Sequence, residues 1–372
     1  MSEERLLERF VRLCEIPSPT GSERAVADEV LRELRELGVE VVEDAAAGPA
    51  RAGAGNLIAR VPGGGERWVA FFSHLDTVPE EGQIEVELID GVYRSRGETI
   101  LGADNKAAVA VLVELAARHV GKQPPVGLEL LFTVAEEDGL RGAKELELEA
   151  LRSPYGYVLD HASPIGEVIT AAPTYQRLLA EFQGAEAHAG IRPEDGHSAI
   201  EAAAAAIEAM RLGRLDEQTT ANVGVIEGGT ASNVVAGRCR IDAEARSLDD
   251  ARAAEAIAQM LDACTWAAGE RSCDLEVEVT EVFRGYRLSP SSPAMRIARE
   301  ALEHCRHEPR EVATGGGSDA NALVARGFEA ILLANGTAAN HTAEESVAAS
   351  RIVEMLAVCE ATVAIVGEAE RC

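Results

Sequence analysis

The sequence predicts an α/β chain in which a mixed, largely parallel sheet covered by helices is interrupted by an α+β insertion. Three observations carry this. Helical and strand periodicities alternate along the first part of the chain. Near Ala171-Ala172-Pro173 the texture changes to the order β-α-β-β-α-β, which is that of a ferredoxin-like sandwich. After Arg284 the first texture returns. At 372 residues the chain exceeds the size at which one core ordinarily splits. The expected division is residues 1–172 with 285–372 for one domain and 173–284 for the other.

The elements follow in order. Residues 3–13 and 22–37 read as helices, the second opened by Gly21-Ser22, with Ala25 and Val26 starting its apolar stripe. Residues 56–61 and 68–73 read as strands, with Pro62-Gly63-Gly64-Gly65 between them as a hairpin-like break. A helix over 106–119 leads to a buried strand over 126–134. Within the insertion, 175–182 alternates as a half-buried strand and 197–210 is an alanine-rich helix. Strands over 221–226 and 238–245, a helix over 249–264 and a strand over 275–282 complete it. The closing segment predicts a helix over 294–304, a strand over 311–313 and the loop Gly315-Gly316-Gly317. A helix over 318–325, a strand over 330–334 and a helix over 344–366 end it.

Bulk properties exclude several partners. A formal net charge of −28 argues against nucleic acid and against anionic membrane surfaces. No segment approaches the roughly 18 apolar residues of a membrane span. The opening MSEERLLERFVRL is amphipathic, unlike a secretory leader. Seven cysteines, odd in number and without a C-x-x-C pair, fit buried free thiols in a reducing cytoplasm. The triple glycine lacks the lysine and spacing of a phosphate-binding loop, so no nucleotide is expected.

Chemistry-bearing side chains gather where apolar runs stop. WVAFFSHLD at residues 68–76, LGADN at 101–105 and LLFTVAEED at 130–138 each do this, joined by Val158-Leu159-Asp160 and Asn340-His341-Thr342. Apolar strands deliver such groups to the rim of a sheet, where α/β folds keep their sites. Together His74, Asp104, Glu136, Glu137, Asp160 and His341 form a donor set suited to two divalent metal ions. Alone, a strand-end His74 is more often a hydrogen-bonded core residue, and Glu136-Glu137-Asp138 is more often a solvated turn. Leu75-Asp76 beside the first, and the long apolar run before the second, favour the metal reading. His161 competes with Asp160 as a donor. Zinc suits mixed imidazole and carboxylate donors and lowers the pKa of bound water to about 7; cobalt or manganese fits the same donors.

These motifs resemble the dinuclear zinc peptidases and deacylases that include acetylornithine deacetylase, glutamate carboxypeptidase, aminoacylase and peptidase T. The peptidase T-like tripeptidase branch is the nearest, through GADNKAAVA at 102–110, EEDGLRGAKEL at 136–146, AHAGIRPEDGHSAI at 187–200 and GGGSDAN at 315–321. The resemblance implies a phosphorylase/hydrolase-like α/β catalytic domain with a ferredoxin-like lid and dimerisation domain. It implies that His74 and Asp160 hold one ion, Glu137 and His341 the other, and that Asp104 bridges them, followed by a cis peptide to Asn105. Asp76 would fix the His74 tautomer. Glu136 would be the general base that takes a proton from a metal-bridging water. His188 in the lid would stabilise the oxyanion, from the partner subunit of a homodimer. Arg246 would clamp a substrate carboxylate, helped by Asn233 and by the backbone at Gly316. The implied activity is a tripeptidase-like aminopeptidase acting on small peptides. The alternatives are an N-acyl-amino acid deacylase, or a catalytically silent binding protein, which the intact donor set disfavours. Thr133-Val134-Ala135 and the short loop before Asp104 depart from the tripeptidase pattern, so no residue is assigned to the substrate amine.

Overall fold

Uninterrupted apolar runs become the interior strands of a mixed sheet. The computed structural model describes residues 2–368, so Cys372 lies outside the described residues. The chain divides into two units. The first comprises Met1–Thr170, Arg287–Ala313 and Ser318–Cys372, and the second Ala171–Tyr286 with Thr314–Gly317.

In the first unit the strand order is Glu40–Glu43, Leu57–Val61, Gly127–Thr133, Trp68–His74, Tyr155–His161, Glu329–Ala334 and Glu167–Ala172. Trp68–His74 runs parallel to both of its neighbours, and Glu329–Ala334 runs parallel to Tyr155–His161. Leu57–Val61 and Glu167–Ala172 are antiparallel to their partners, which makes the sheet mixed. Parallel central strands deliver their C-terminal residues, His74, Thr133 and Asp160 among them, to one rim.

The hairpin expected at residues 62–65 does not form. Gly127–Thr133, buried at every position, takes the place between Leu57–Val61 and Trp68–His74. The glycine-rich link instead passes close against that strand's entry: a Cβ on Gly63 would come within 2.2 Å of Val126 carbon. The last helix also starts later than its sequence suggests, at Ala349. Ser346–Ala348 pairs instead with Val92–Ser95, itself half of a hairpin with Val86–Ile89 that the sequence reading did not contain. Helix Ala103–His119 is buried without a break from Ala103 to Ala116, so it is enclosed on all sides, the polar Asp104, Asn105, Lys106 and Glu114 included.

In the second unit the strand order is Gly213–Arg214, Thr219–Gly228, Arg238–Ser247, Thr174–Gln183 and Asp274–Phe283, all antiparallel. Helices Ala199–Ala209 and Asp250–Glu270 pack on it. Their first turns are capped by Ser198, which accepts from the Glu201 N–H, and by Asp249, which accepts from the Ala251 N–H. Leu178, Ala180 and Phe182 alternate inward from one strand, with Ala202, Ala206, Ile257 and Met260 from the helices. Small alanines let helix and sheet approach closely. Full burial of Phe182 or Leu178 contributes about 1.5–3 kcal/mol each.

Among the described residues no helix is long and apolar enough to cross a membrane. The described cysteines are all free.

Candidate metal centre and active site

Strand Trp68–His74 ends on His74, which is buried. Its Nδ1 lies 2.9 Å from the backbone carbonyl of Asp76, so Nδ1 carries a proton and Nε2 is the atom turned toward the carboxylates. The Asp76 carboxylate does something else. Its Oδ1 stands 3.6 Å from Nδ1, beyond hydrogen-bond range. Instead it accepts the backbone N–H of Glu136 at 3.0 Å and of Glu137 at 3.2 Å, and the Thr20 hydroxyl at 2.8 Å. The tautomer is thus set by the carbonyl of this residue, and the carboxylate pins the Glu136-Glu137 backbone.

Asp104 follows Gly102, whose φ of 72° a side chain rarely tolerates. The Asp104–Asn105 peptide is cis. Asn105 Nδ2 donates to Asp160 Oδ1 at 3.0 Å and to the Leu159 carbonyl at 2.9 Å. Asn340 Nδ2 donates to Asp104 Oδ2 at 2.8 Å.

The side chains converge around shared points. His74 Nε2 lies 3.3 Å from Asp104 Oδ1 and 3.2 Å from Asp160 Oδ1. His341 Nε2 lies 3.2 Å from Asp104 Oδ2 and 3.0 Å from Glu137 Oε1. His74 Nε2 facing two carboxylate oxygens calls for a proton or a metal ion among them. Glu137 Oε1 is buried and receives no hydrogen bond, although His341 approaches it. The distance is short but the alignment is wrong, as for two ligands aimed at a common third atom. A tetrahedral shell with bonds of about 2.0 Å has edges of about 3.3 Å, so these separations fit metal coordination.

Ligand atoms of His74, Asp104 and Glu137 lie within 4.8 Å of one another, as do those of His74, Glu136 and Asp160. At shorter range Glu137 stands beside His341, 3.0 Å from its Nε2. Glu136 is left distinct: its carboxylate takes no hydrogen bond among the described residues, and 8 % of the residue reaches solvent.

Without cations, protons balance the charges of the cluster. Burial pushes the Asp160 carboxyl up to about 8 and holds Glu136 well above the usual carboxylate range, with Asp160 adding to the effect. Burial also pushes Asp104 upward, but His341 and His74 outweigh it and hold that carboxyl low. His341 is raised to about 10 by Asp104 and Glu137. Burial opposes charge on His74, yet Asp160 and Asp104 keep it well above its ordinary value. Protons here occupy the place that divalent ions would take.

In the second unit the remaining candidates form two groups. His188 is exposed, and its Nδ1 accepts the Gly190 N–H at 3.2 Å, which leaves Nε2–H as a free donor. Asn233 stands beside it, its carbonyl accepting the Ala189 N–H at 3.0 Å. Arg246 stacks 4.4 Å over the Tyr175 ring and donates to the Gly315 carbonyl at 3.4 Å. Its Nε and Nη2 both reach Glu244 at 3.0 Å, so the edge a carboxylate clamp would use is already paired. The Gly316 N–H is taken by the Thr314 hydroxyl at 3.1 Å. Gly317 is held to glycine by the Phe283 ring, 2.2 Å from where a Cβ would stand.

Residues 70–364 match the model of peptidase family M20/M25/M40. The chain belongs to that family. It is 37% identical to Bacillus subtilis YqjE over 375 residues, with all of both chains covered. The structure of aminopeptidase PepT from Bacillus cereus superposes with a TM-score of 0.83 at 37% identity, covering 97% of this chain and 98% of that one. A tripeptidase from Staphylococcus aureus superposes with a TM-score of 0.90 at 34% identity, covering 98% and 99%. This M20 chain is therefore a hydrolase of the metallopeptidase class, peptidase T-like in fold.

Several residues around the M20 centre carry no role in the sequence reading. Asn105 and Asn340 orient two of the carboxylates. Asp319, buried, accepts the Thr133 hydroxyl at the strand end, and its Oδ1 has no partner among the described residues. Asn105 and Asn340 adjoin Asp104 and His341 in sequence, and Asp319 lies within GGGSDAN, so adjacency to a motif is the signal that could have found them.

Proposed function

We propose that this M20-family chain is an aminopeptidase that uses two divalent ions to release the N-terminal residue of small peptides, tripeptides above all. The observation that carries the reading is His74 Nε2 facing Asp104 and Asp160 while His341 Nε2 faces Asp104 and Glu137. His74, Asp104 and Asp160 would hold one ion, and Asp104, Glu137 and His341 the other. Zinc suits the donors best, with cobalt or manganese as serviceable replacements. When bound, the ions supply Lewis-acid chemistry, polarising the scissile carbonyl and acidifying a water.

The chain's own residues do the rest. Glu136 takes the proton of the attacking water and returns it to the departing amine. Its freedom from hydrogen bonds, and surroundings that favour its protonated form, support this role. His188 contributes Nε2–H to the oxyanion, a tautomer its Gly190 contact supports. Arg246 recognises the peptide's terminal carboxylate by exchanging Glu244 for it, with Tyr175 keeping the guanidinium flat. Asn233 and the backbone at Gly316 position the chain of the substrate. Asp76 acts through the Glu136-Glu137 backbone.

Likeness to PepT and to the tripeptidase supports the substrate class. Free cysteines support a reducing, cytoplasmic setting. Exposed Val225, Ile226, Val277 and Val279 on the outer strands of the second unit support a homodimer formed through it.

The test is a panel of dipeptides, tripeptides and N-acyl amino acids, assayed with zinc, cobalt and manganese against a chelated control. The reading expects metal-dependent turnover that is fastest on tripeptides with a free amine. Preference for N-acyl amino acids would replace it with the deacylase alternative, and turnover undiminished by chelation would end it.

A further inference from the structure

We infer that Glu345 is a positioning residue that locks the Asp104 loop to the His341 loop, and so governs the Asp104–Glu137–His341 half of the centre selectively. The inference rests on the two-ion reading above and adds a residue to it.

Glu345 is 1 % exposed and lies in the turn that follows His341. Its carboxylate is fully committed to the other loop. Oε2 accepts the Leu101 N–H at 2.9 Å and the Gly102 N–H at 2.8 Å, and Oε1 accepts the Asp104 N–H at 2.8 Å. The backbone N–H of Glu345 meanwhile bonds to the Thr342 carbonyl at 3.1 Å, closing the turn that displays His341. One side chain therefore ties together chain segments more than two hundred residues apart.

A neutral residue cannot do this. Charge-assisted bonds from backbone N–H groups to a buried carboxylate are about twice as strong as neutral ones. Three donors need acceptors on both oxygens, and a glutamine offers one oxygen and an NH2 that would face an N–H.

The two halves of the centre depend on Glu345 unequally. His74 is oriented by the Asp76 carbonyl, and Asp160 by Asn105. Glu345 reaches this half only through the Asp104 loop, which both halves share. His341, by contrast, is half exposed in its side chain, and its ring meets only Asp104 and Glu137 among the described residues. Its place relative to Asp104 is set by the turn that Glu345 holds.

The experiment is a zinc and cobalt titration of the chelator-stripped full chain, followed by calorimetry and by cobalt absorption. Wild type, Glu345→Gln, His341→Ala and the double variant are compared, with folding checked by circular dichroism. Wild type is expected to bind two equivalents. Loss of an outer support typically weakens metal binding about 10- to 100-fold, so Glu345→Gln should lose that much at one site and stay within about threefold at the other. His341→Ala should retain one site, and adding Glu345→Gln to it should leave that site within about threefold. Should Glu345→Gln fail to fold, Glu345→Asp, with charge and both oxygens on a shorter arm, should produce the same one-sided loss. Unchanged affinities, equal weakening of both sites, or further weakening in the His341→Ala background would each overturn the inference. Fewer than two equivalents in wild type would overturn the two-ion reading itself, and that is read from wild type alone.

Discussion

Asp76→Asn separates two jobs that one residue performs. The substitution keeps the backbone carbonyl on which His74 Nδ1 rests at 2.9 Å. It replaces one carboxylate oxygen by an NH2. Oδ1 serves the Glu136 N–H, while Oδ2 serves the Glu137 N–H and the Thr20 hydroxyl. Either orientation of the new amide therefore turns a donor toward at least one backbone donor, at a residue that is 0% exposed and out of reach of water. Hydrogen bonds to charged acceptors contribute about 1.5–3 kcal/mol each, so losing the one that either orientation forfeits costs about 1.5–3 kcal/mol in the placement of Glu136 and Glu137. At 1.36 kcal/mol per decade, that corresponds to about 10- to 160-fold in kcat/KM if it is felt in the transition state. The assay is tripeptide hydrolysis at saturating metal, together with nitrogen-15 NMR of the His74 ring in the metal-loaded protein. The expected result is the loss of kcat/KM with Nδ1 of His74 still protonated. A kcat/KM within threefold of wild type, or a switched His74 tautomer, would refute the reasoning.

Further expectations concern the base, the protons and a distant ion cluster. Glu136→Ala should retain both ions by elemental analysis yet lose about 10²- to 10⁴-fold in kcat; unchanged turnover would remove Glu136 from the role. His341 is raised to about 10, above its unfolded value, so its contribution to the metal-free fold is complete below about pH 6.5 and is lost as pH rises through 10. Asp160 is raised to about 8, so its carboxylate increasingly penalises the fold as pH climbs from its unfolded value toward 8. Both signs agree: the stripped protein should melt lower at pH 9 than at pH 6.5, and zinc uptake should release protons, seen as a buffer-dependent calorimetric enthalpy. A melting temperature that rises over this interval would contradict the assignment. Far from the centre, the fully buried Glu114 carboxylate is shared by Arg5, Arg9 and Arg118. Burial opposes its charge, but Arg5 and Arg9 prevail and hold it below the usual range, so its contribution is present above about pH 4.5 and is lost as pH falls through the folded value. Glu114→Ala should cost about 1–3 kcal/mol, read by chemical denaturation at pH 7, because it removes an acceptor shared by three arginines although Arg9 keeps Glu33 and Arg118 keeps Glu360; an unchanged or raised stability would contradict it.

The parts of the molecule that were legible in its sequence are those where burial dictates composition. Trp68–His74 and Gly127–Thr133 sit inside the sheet, so their runs of apolar residues and polar endings declare both the strands and the rim. In the second unit Thr174–Gln183 and Arg238–Ser247 bury one face and alternate, whereas Asp274–Phe283 is exposed along most of its length and is legible only from its β-branched residues. Pairing order is less legible: nothing in Pro62-Gly63-Gly64-Gly65 announces that a strand from residues 127–133 enters between its flanks. Short, half-exposed strands such as Glu40–Glu43 and Val86–Ile89 carry charges that mask their period. Glu345 was hidden differently, since an acid just before a long helix reads as an ordinary first-turn residue, whereas its burial comes from a loop far away in sequence. The candidate metal donors were readable as residue types beside apolar runs. Which oxygen of Asp76 meets which neighbour was not, because side chain and carbonyl of one residue look alike in a sequence.

The most direct measurement is anomalous diffraction at the zinc edge from crystals of the zinc-loaded chain. The account predicts two peaks about 3.5–4 Å apart, one contacted by His74, Asp104 and Asp160 and the other by Asp104, Glu137 and His341. A single peak, or zinc bound away from these side chains while they keep their positions, would contradict it.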